Sequence, residues 1–144
     1  MSDTSGESTA RQATAALIRR YYDAFNSGNQ DAMLECLSDD VVHDVNQGER
    51  RQGKDKFKAF LARMDHHYEE KLDGIVVLVN KDGTRAAAEF NVSGKYLQTE
   101  NGLPEANGQT YSLPAGSYFA IRDGQISRVT TYYNLTDWIA QVAG

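Results

Sequence analysis

The sequence predicts an α+β domain, because three segments of helical periodicity come first, runs of β-branched and alternating residues follow, and Asp-Gly pairs punctuate those runs. Its 144 residues fit one core. A chain of that size buries about two thirds of the surface exposed when it is unfolded, so no staples are required.

Residues 1–12 are expected to be a disordered tail, rich in Ser, Thr, Gly and acid, with the domain running over 13–144. In the first helix Leu17, Tyr21, Ala24 and Phe25 make one apolar stripe, closed by Ser27 and Gly28. Asn29 is the expected N-cap of a short second helix carrying Met33, Leu34 and Leu37, which the Ser38, Asp39, Asp40 cluster ends. A brief strand over 41–45 leads into a turn-prone loop up to Gly53. The spacing of Phe57, Phe60, Leu61, Met64, Tyr68 and Leu72 predicts the longest helix over 54–72, with Lys and Glu on its other faces.

Four antiparallel strands are then expected over 75–79, 85–96, 111–121 and 125–133. Asp82-Gly83 and Asp123-Gly124 supply the positive φ of tight hairpin turns. Residues 98–109, with Gly102, Pro104 and Gly108, are too long for such a turn and read as a functional loop or lid.

Acidic residues outnumber basic ones 20 to 15 and no basic stripe is present, which argues against a nucleic-acid partner. No apolar run approaches membrane-spanning length, so no membrane partner is expected. The N-terminal residues lack the pattern of a secretion signal, and a cytoplasmic location is expected. The one cysteine, Cys36, reads as a buried structural thiol. His66 and Glu70, one helical turn apart, offer two metal ligands without a third, and no dinucleotide or phosphate-loop motif occurs. Neither a metal nor a cofactor is expected.

Residues 21–29 (YYDAFNSGN), 38–44 (SDDVVHD), 86–96 (AAAEFNVSGKY) and the final strand pair resemble the nuclear transport factor 2 superfamily, in particular its ketosteroid isomerase branch with the SnoaL-like relatives. Residues 102–116, 43–48 and 132–138 are similar to bacterial proteins grouped as steroid isomerase-related. The resemblance implies a cone-shaped fold, three N-terminal helices packed on a curved, mostly antiparallel sheet around an apolar pocket.

It also implies roles. A ketosteroid isomerase needs a carboxylate base and hydrogen-bond donors to an oxyanion. The tyrosine donor five residues before the turn asparagine is Tyr21 here. Counting forward from that turn puts the base at Val45, and counting back from Gly53 puts it at Asp44. Asp44 is the expected base; His43 then faces outward, a one-residue slip exchanges them, and His43 is the alternative base. Ser117 stands where the family has a protonated aspartic acid, a departure that leaves a weaker donor.

The implied pocket includes Leu17 beside Tyr21, Phe119 beside Ser117, and the alternating Ala88, Phe90, Val92 and Gly94. The small Ala88 and Gly94 widen it, unless Tyr96 or the 102–108 loop fills the space. Val129, Thr131 and Tyr133 share an inward face. Asn46 and Asn134 are read either as polar pocket groups or as turn residues. Glu89 falls on the convex face, where the family forms homodimers.

Three functions compete. The first is a cofactor-independent isomerase, dehydratase or cyclase acting by proton transfer on a small hydrophobic carbonyl compound. The second is a non-catalytic module of the same fold for small-ligand binding or dimerisation. The third is a pocket packed shut.

Overall fold

The computed structural model describes residues 4–45 and 48–143. Along the chain run α1 (Thr4–Ser27), α2 (Gln30–Glu35), β1 (Leu37–Val45), β2 (Arg51–Gln52), α3 (Lys54–His67), β3 (Tyr68–Val79), β4 (Arg85–Tyr96), β5 (Thr110–Arg122), β6 (Gln125–Tyr133) and α4 (Leu135–Ala143). The sheet has the order β2-β1-β6-β5-β4-β3, antiparallel except where β1 runs parallel to β6. Register shifts lie between Asp73 and Val76 and between Ala120 and Ile121. Such irregularities bend a sheet locally.

The expected α+β class and helix-on-sheet layering are found, with four differences at element level. First, α1 begins at Thr4, so residues 4–12 are helical where a disordered tail was expected. Its N-terminal half has something to dock on: Thr14 Oγ1 donates to the Gly83 carbonyl at 2.7 Å, and a Cβ at Gly83 would lie 2.7 Å from the Ala10 carbonyl oxygen. Second, Ser38, Asp39 and Asp40 belong to β1 and do not terminate a helix. Asn29 does cap α2, its side chain accepting from Ala32 N–H.

Third, α3 stops at His67, and Tyr68 to Leu72 are strand. The helical spacing of Tyr68 and Leu72 is overridden by pairing, Tyr68 with Tyr96 and Leu72 with Val92. Asn26 reinforces that choice, since its side chain donates to the Leu72 carbonyl and accepts from Leu72 N–H, both at 2.9 Å. Fourth, α4 was not anticipated. Asn134 Oδ1 accepts from Asp137 N–H at its start, and the helix buries Trp138 and Val142.

Both Asp-Gly turns form, with φ of 53° at Asp123, 75° at Gly124 and 76° at Gly83. One buried cluster, including Ile18, Phe57, Phe119 and Val129, lies between α1, α3 and the sheet. A second gathers Tyr96, Tyr111, Leu113, Trp138 and Val142 under α4. Cys36 is buried at the end of α2, as expected. Among the described residues no helix is long and apolar enough to cross a membrane, and no group of three His, Cys, Asp or Glu side chains is placed to hold a metal ion.

Candidate active site

Between the two clusters lies a cavity of about 550 Å³. Strand alternation decides what faces it. On β1, Val41 and His43 are buried and Val45 reaches the cavity wall, so Asp44 points to the other side of the sheet. There Asp44 accepts two hydrogen bonds from Arg50, at 2.7 and 2.9 Å, and one from Thr130 Oγ1 at 2.9 Å. Those donors, Arg50 foremost, hold its carboxyl below the usual carboxylate range.

The expectation that Asp44 faces the pocket and His43 faces out is therefore corrected. The physical reason is register, since in the parallel ladder His43 pairs with the inward Val129 and Asp44 with the outward Thr130. His43 is 3% exposed, its ring 4.5 Å from those of both Phe57 and Phe60. Burial, then the nearby Arg51 charge, pulls its pKa down to about 4 against the opposing pull of Asp44. It is an uncharged imidazole at neutral pH.

Tyr21 lines the cavity as expected, and so does its neighbour Tyr22. Burial raises the pKa of both hydroxyls. Ser117 and Thr131 line the wall, with Ser117 Oγ and Thr131 Oγ1 hydrogen-bonded at 2.9 Å. Phe90, Val92 and Tyr133 also line it, whereas Leu17, Ala88, Phe119 and Val129 are packed into the core behind. Asn46 lies outside the described residues.

Gly94 does not widen the cavity. The Tyr111 hydroxyl lies 2.5 Å from where its Cβ would be, so the neighbouring strand fills the space. Neither of the expected fillers is the one used there. The 98–109 loop is tied down rather than loose: Tyr96 donates its hydroxyl to the Pro104 carbonyl and accepts from Glu100 N–H, and Gln109 donates to the Val142 carbonyl. That loop adds Glu100 and Leu103 to the wall.

Two carboxylates on the wall were not expected there, since Glu70 was read only as a metal ligand lacking partners and Glu100 was not singled out. Glu70, on β3, accepts a 2.6 Å hydrogen bond from Tyr111. Burial pushes its carboxyl above the usual range, partly offset by that bond. Nearby, Glu100 accepts from Tyr68 and lies 3.5 Å from Arg63. Tyr133 has its own pKa raised by burial and then by the charges of Glu100 and Glu70. Trp138 packs against Tyr68, Tyr96 and Tyr111 at ring distances of 4.9 to 5.9 Å. One end of the cavity thus carries two carboxylates among tyrosines, and the opposite side carries hydroxyls and a neutral imidazole.

A half-buried carboxylate whose proton affinity is raised by its surroundings is a candidate for proton transfer. The signal for it in the sequence is the alternation of Tyr68, Glu70 and Leu72, which helical spacing masked.

The model of the SnoaL-like domain matches residues 18–129. A crystal structure of a proposed polyketide cyclase from Xanthomonas campestris is 55% identical, with a TM-score of 0.89, covering 92% of this chain and 98% of that one. Another proposed polyketide cyclase, from a Silicibacter species, is 58% identical, with a TM-score of 0.90 and coverage of 92% and 97%. At 17% identity a nuclear transport factor 2-like protein of unknown function from Burkholderia pseudomallei shares the fold, with a TM-score of 0.75 and coverage of 92% and 98%. Among curated proteins none matches at a significant level.

Proposed function

The chain belongs to the SnoaL-like family within the nuclear transport factor 2-like fold, and from that premise we propose that it is a cofactor-independent isomerase, dehydratase or cyclase moving a proton on a small hydrophobic carbonyl compound. The observation that carries this reading is the Glu70 carboxyl, raised in proton affinity by burial and hydrogen-bonded by Tyr111 on the wall of a largely apolar cavity. The naming of two relatives above 50% identity as proposed polyketide cyclases favours a carbonyl-rich substrate.

Glu70, as carboxylate, takes a proton from the carbon beside the substrate carbonyl, and the C–H electron pair moves into an enolate. Tyr133, in electrostatic range of Glu70 and Glu100, donates to the enolate oxygen. Glu70, now the acid, returns its proton to a second carbon in an isomerisation. In a cyclisation it protonates the oxygen of a carbonyl that the enolate carbon attacks, and in a dehydration a leaving hydroxyl. Asp44 has no part, and Tyr21 contributes to the wall.

The test is a panel of aromatic polyketone substrates with Glu70→Gln. The variant is expected to keep its fold and lose about 10²- to 10⁴-fold in kcat; unchanged turnover on a processed substrate overturns the reading.

A homodimer through the convex face belongs to the same proposal, as does a cytoplasmic site of action. Its support is an outward row in which Tyr118 and Tyr132 are 53% and 51% exposed, in edge contact at 5.7 Å, beside Glu89. Sedimentation of Tyr118→Glu checks it, with a shift to monomer expected.

A further inference from the structure

Proton abstraction by Glu70 moves a negative charge from its carboxylate to the substrate oxygen, and the wall around it is already acidic. Glu70 and Glu100 line the cavity, and Asp65 and Glu69 are exposed at its rim. An enolate oxygen formed there is repelled by Glu100 unless a cation meets it. A tyrosine hydroxyl alone is a weak answer, since burial and then the charges of Glu100 and Glu70 make Tyr133 hold its proton more tightly.

Among the described residues two cationic side chains reach the wall, Arg63 and Lys71. Lys71 is engaged, its ammonium donating to the Asn26 carbonyl. Arg63 stands on α3 one turn after Phe60, and its guanidinium lies over the Phe60 ring, 5.6 Å from the centroid. Stacking uses the flat face of the group and leaves its N–H edge able to donate.

The Arg63 Nε lies 3.5 Å from Glu100 Oε1, an ion pair too long for a strong hydrogen bond. Glu100 is itself fixed, its other oxygen accepting from Tyr68 and its backbone N–H donating to the Tyr96 hydroxyl at 2.9 Å. The pair therefore keeps a half-exposed guanidinium at the cavity, within electrostatic reach of Tyr133. Arginine stays charged across the whole range in which a carboxylate titrates.

We propose that Arg63 is a further catalytic residue, the cation that meets the enolate oxygen as Glu70 takes the proton. This rests on the reading of Glu70 as the base. Before the reaction Arg63 balances Glu100. The α-proton then goes to Glu70, the C–H electron pair becomes the enolate, and the new oxygen charge is met by guanidinium N–H groups that the Glu100 contact does not use. Arg63 neither gains nor loses a proton. Substrate filling the cavity strips water from the half-exposed side chain, which strengthens the attraction.

The test replaces the enolate by a stable anion. 2-Naphthol, an aromatic enol, is titrated into Glu70→Gln, whose neutral amide stands for the protonated base, and into the double variant Glu70→Gln with Arg63→Gln, and absorbance reports how much of the bound naphthol is ionised. The single variant is expected to bind naphtholate about tenfold or more tightly than the double variant, the worth of a charge-assisted hydrogen bond. Naphthalene, which lacks the oxygen, should bind both equally. In the otherwise native protein Arg63→Gln should slow α-proton exchange of 2-tetralone about 10²-fold with little change in KM, and Arg63→Lys, which keeps the charge, should recover part of that loss. Naphtholate bound equally by the two variants, or by neither, overturns the proposal, as does wild-type exchange that Arg63→Gln leaves unchanged. The naphthol comparison involves no proton transfer by Glu70, so it decides on Arg63 even where Glu70→Gln leaves exchange intact.

Discussion

Gly94 and Tyr111 face one another across β4 and β5, and the missing side chain at Gly94 leaves the space that the Tyr111 hydroxyl occupies on its way to Glu70. A Cβ there would lie 2.5 Å from that hydroxyl and 2.9 Å from the Glu69 carbonyl oxygen. The second contact is backbone and cannot swing aside. Gly94→Ala is therefore expected to cost about 1 to 3 kcal/mol of stability, as overpacking does, and to break the Tyr111–Glu70 bond. Chemical denaturation measures the first effect, and the second appears as lost turnover.

Glu70 carries a stability cost of its own. Because burial raises its folded pKa, the native state holds the proton over a range where the unfolded chain has released it, so this group makes stability fall as pH rises through that window. Glu70→Gln removes the titration while keeping an acceptor for Tyr111. Its melting temperature is expected to exceed that of the wild type at pH 7, with the gap closing near pH 4, as scanning calorimetry would show.

His43 behaves in the opposite sense. Its folded pKa of about 4 lies below the ordinary histidine value, so the unfolded chain binds a proton first as pH falls. The stability it supports is complete above about pH 6.5 and is lost as pH drops through 4, a loss of roughly 3 kcal/mol from this group. In His43→Phe, which fits between Phe57 and Phe60, that part of the acid sensitivity should vanish. Urea midpoints at pH 7 and pH 4 for the two proteins check it.

Asp44→Asn should change turnover by less than about threefold, since the side chain is engaged with Arg50 and Thr130 on the far side of the sheet. Surface ion pairs of this kind contribute little. The small stability effect should shrink further in high salt, which thermal melts at two ionic strengths resolve.

Much of the fold was legible because its signals are local. Asp-Gly turns, the Asn29 cap and the apolar stripe of α1 each act within a few residues. What escaped depended on distant pairing. Tyr68 to Leu72 satisfies helical and strand periodicity equally, and only β4 and the Asn26 side chain decide for the strand. That one ambiguity hid Glu70 among residues read as a solvated helix face. The Asp44 question had the same origin, since a strand's register against β6 sets which of two neighbours faces inward. Thr131 and Tyr133 were placed on the cavity wall by alternation and Phe90, Val92 and Ser117 by the family resemblance, whereas Ala88 and Gly94 were read as widening the cavity unless Tyr96 or the 102–108 loop filled it, without sight of Tyr111 across the strand from Gly94.

The most direct test of the account is exchange of the α-protons of 2-tetralone for deuterium, followed by NMR in the presence of wild type, Glu70→Gln and Asp44→Asn. The account predicts that wild type and Asp44→Asn accelerate exchange to within about threefold of each other, while Glu70→Gln loses about 10²-fold or more. Exchange that survives Glu70→Gln and collapses in Asp44→Asn would contradict it, returning the base to the position from which the structure removes it.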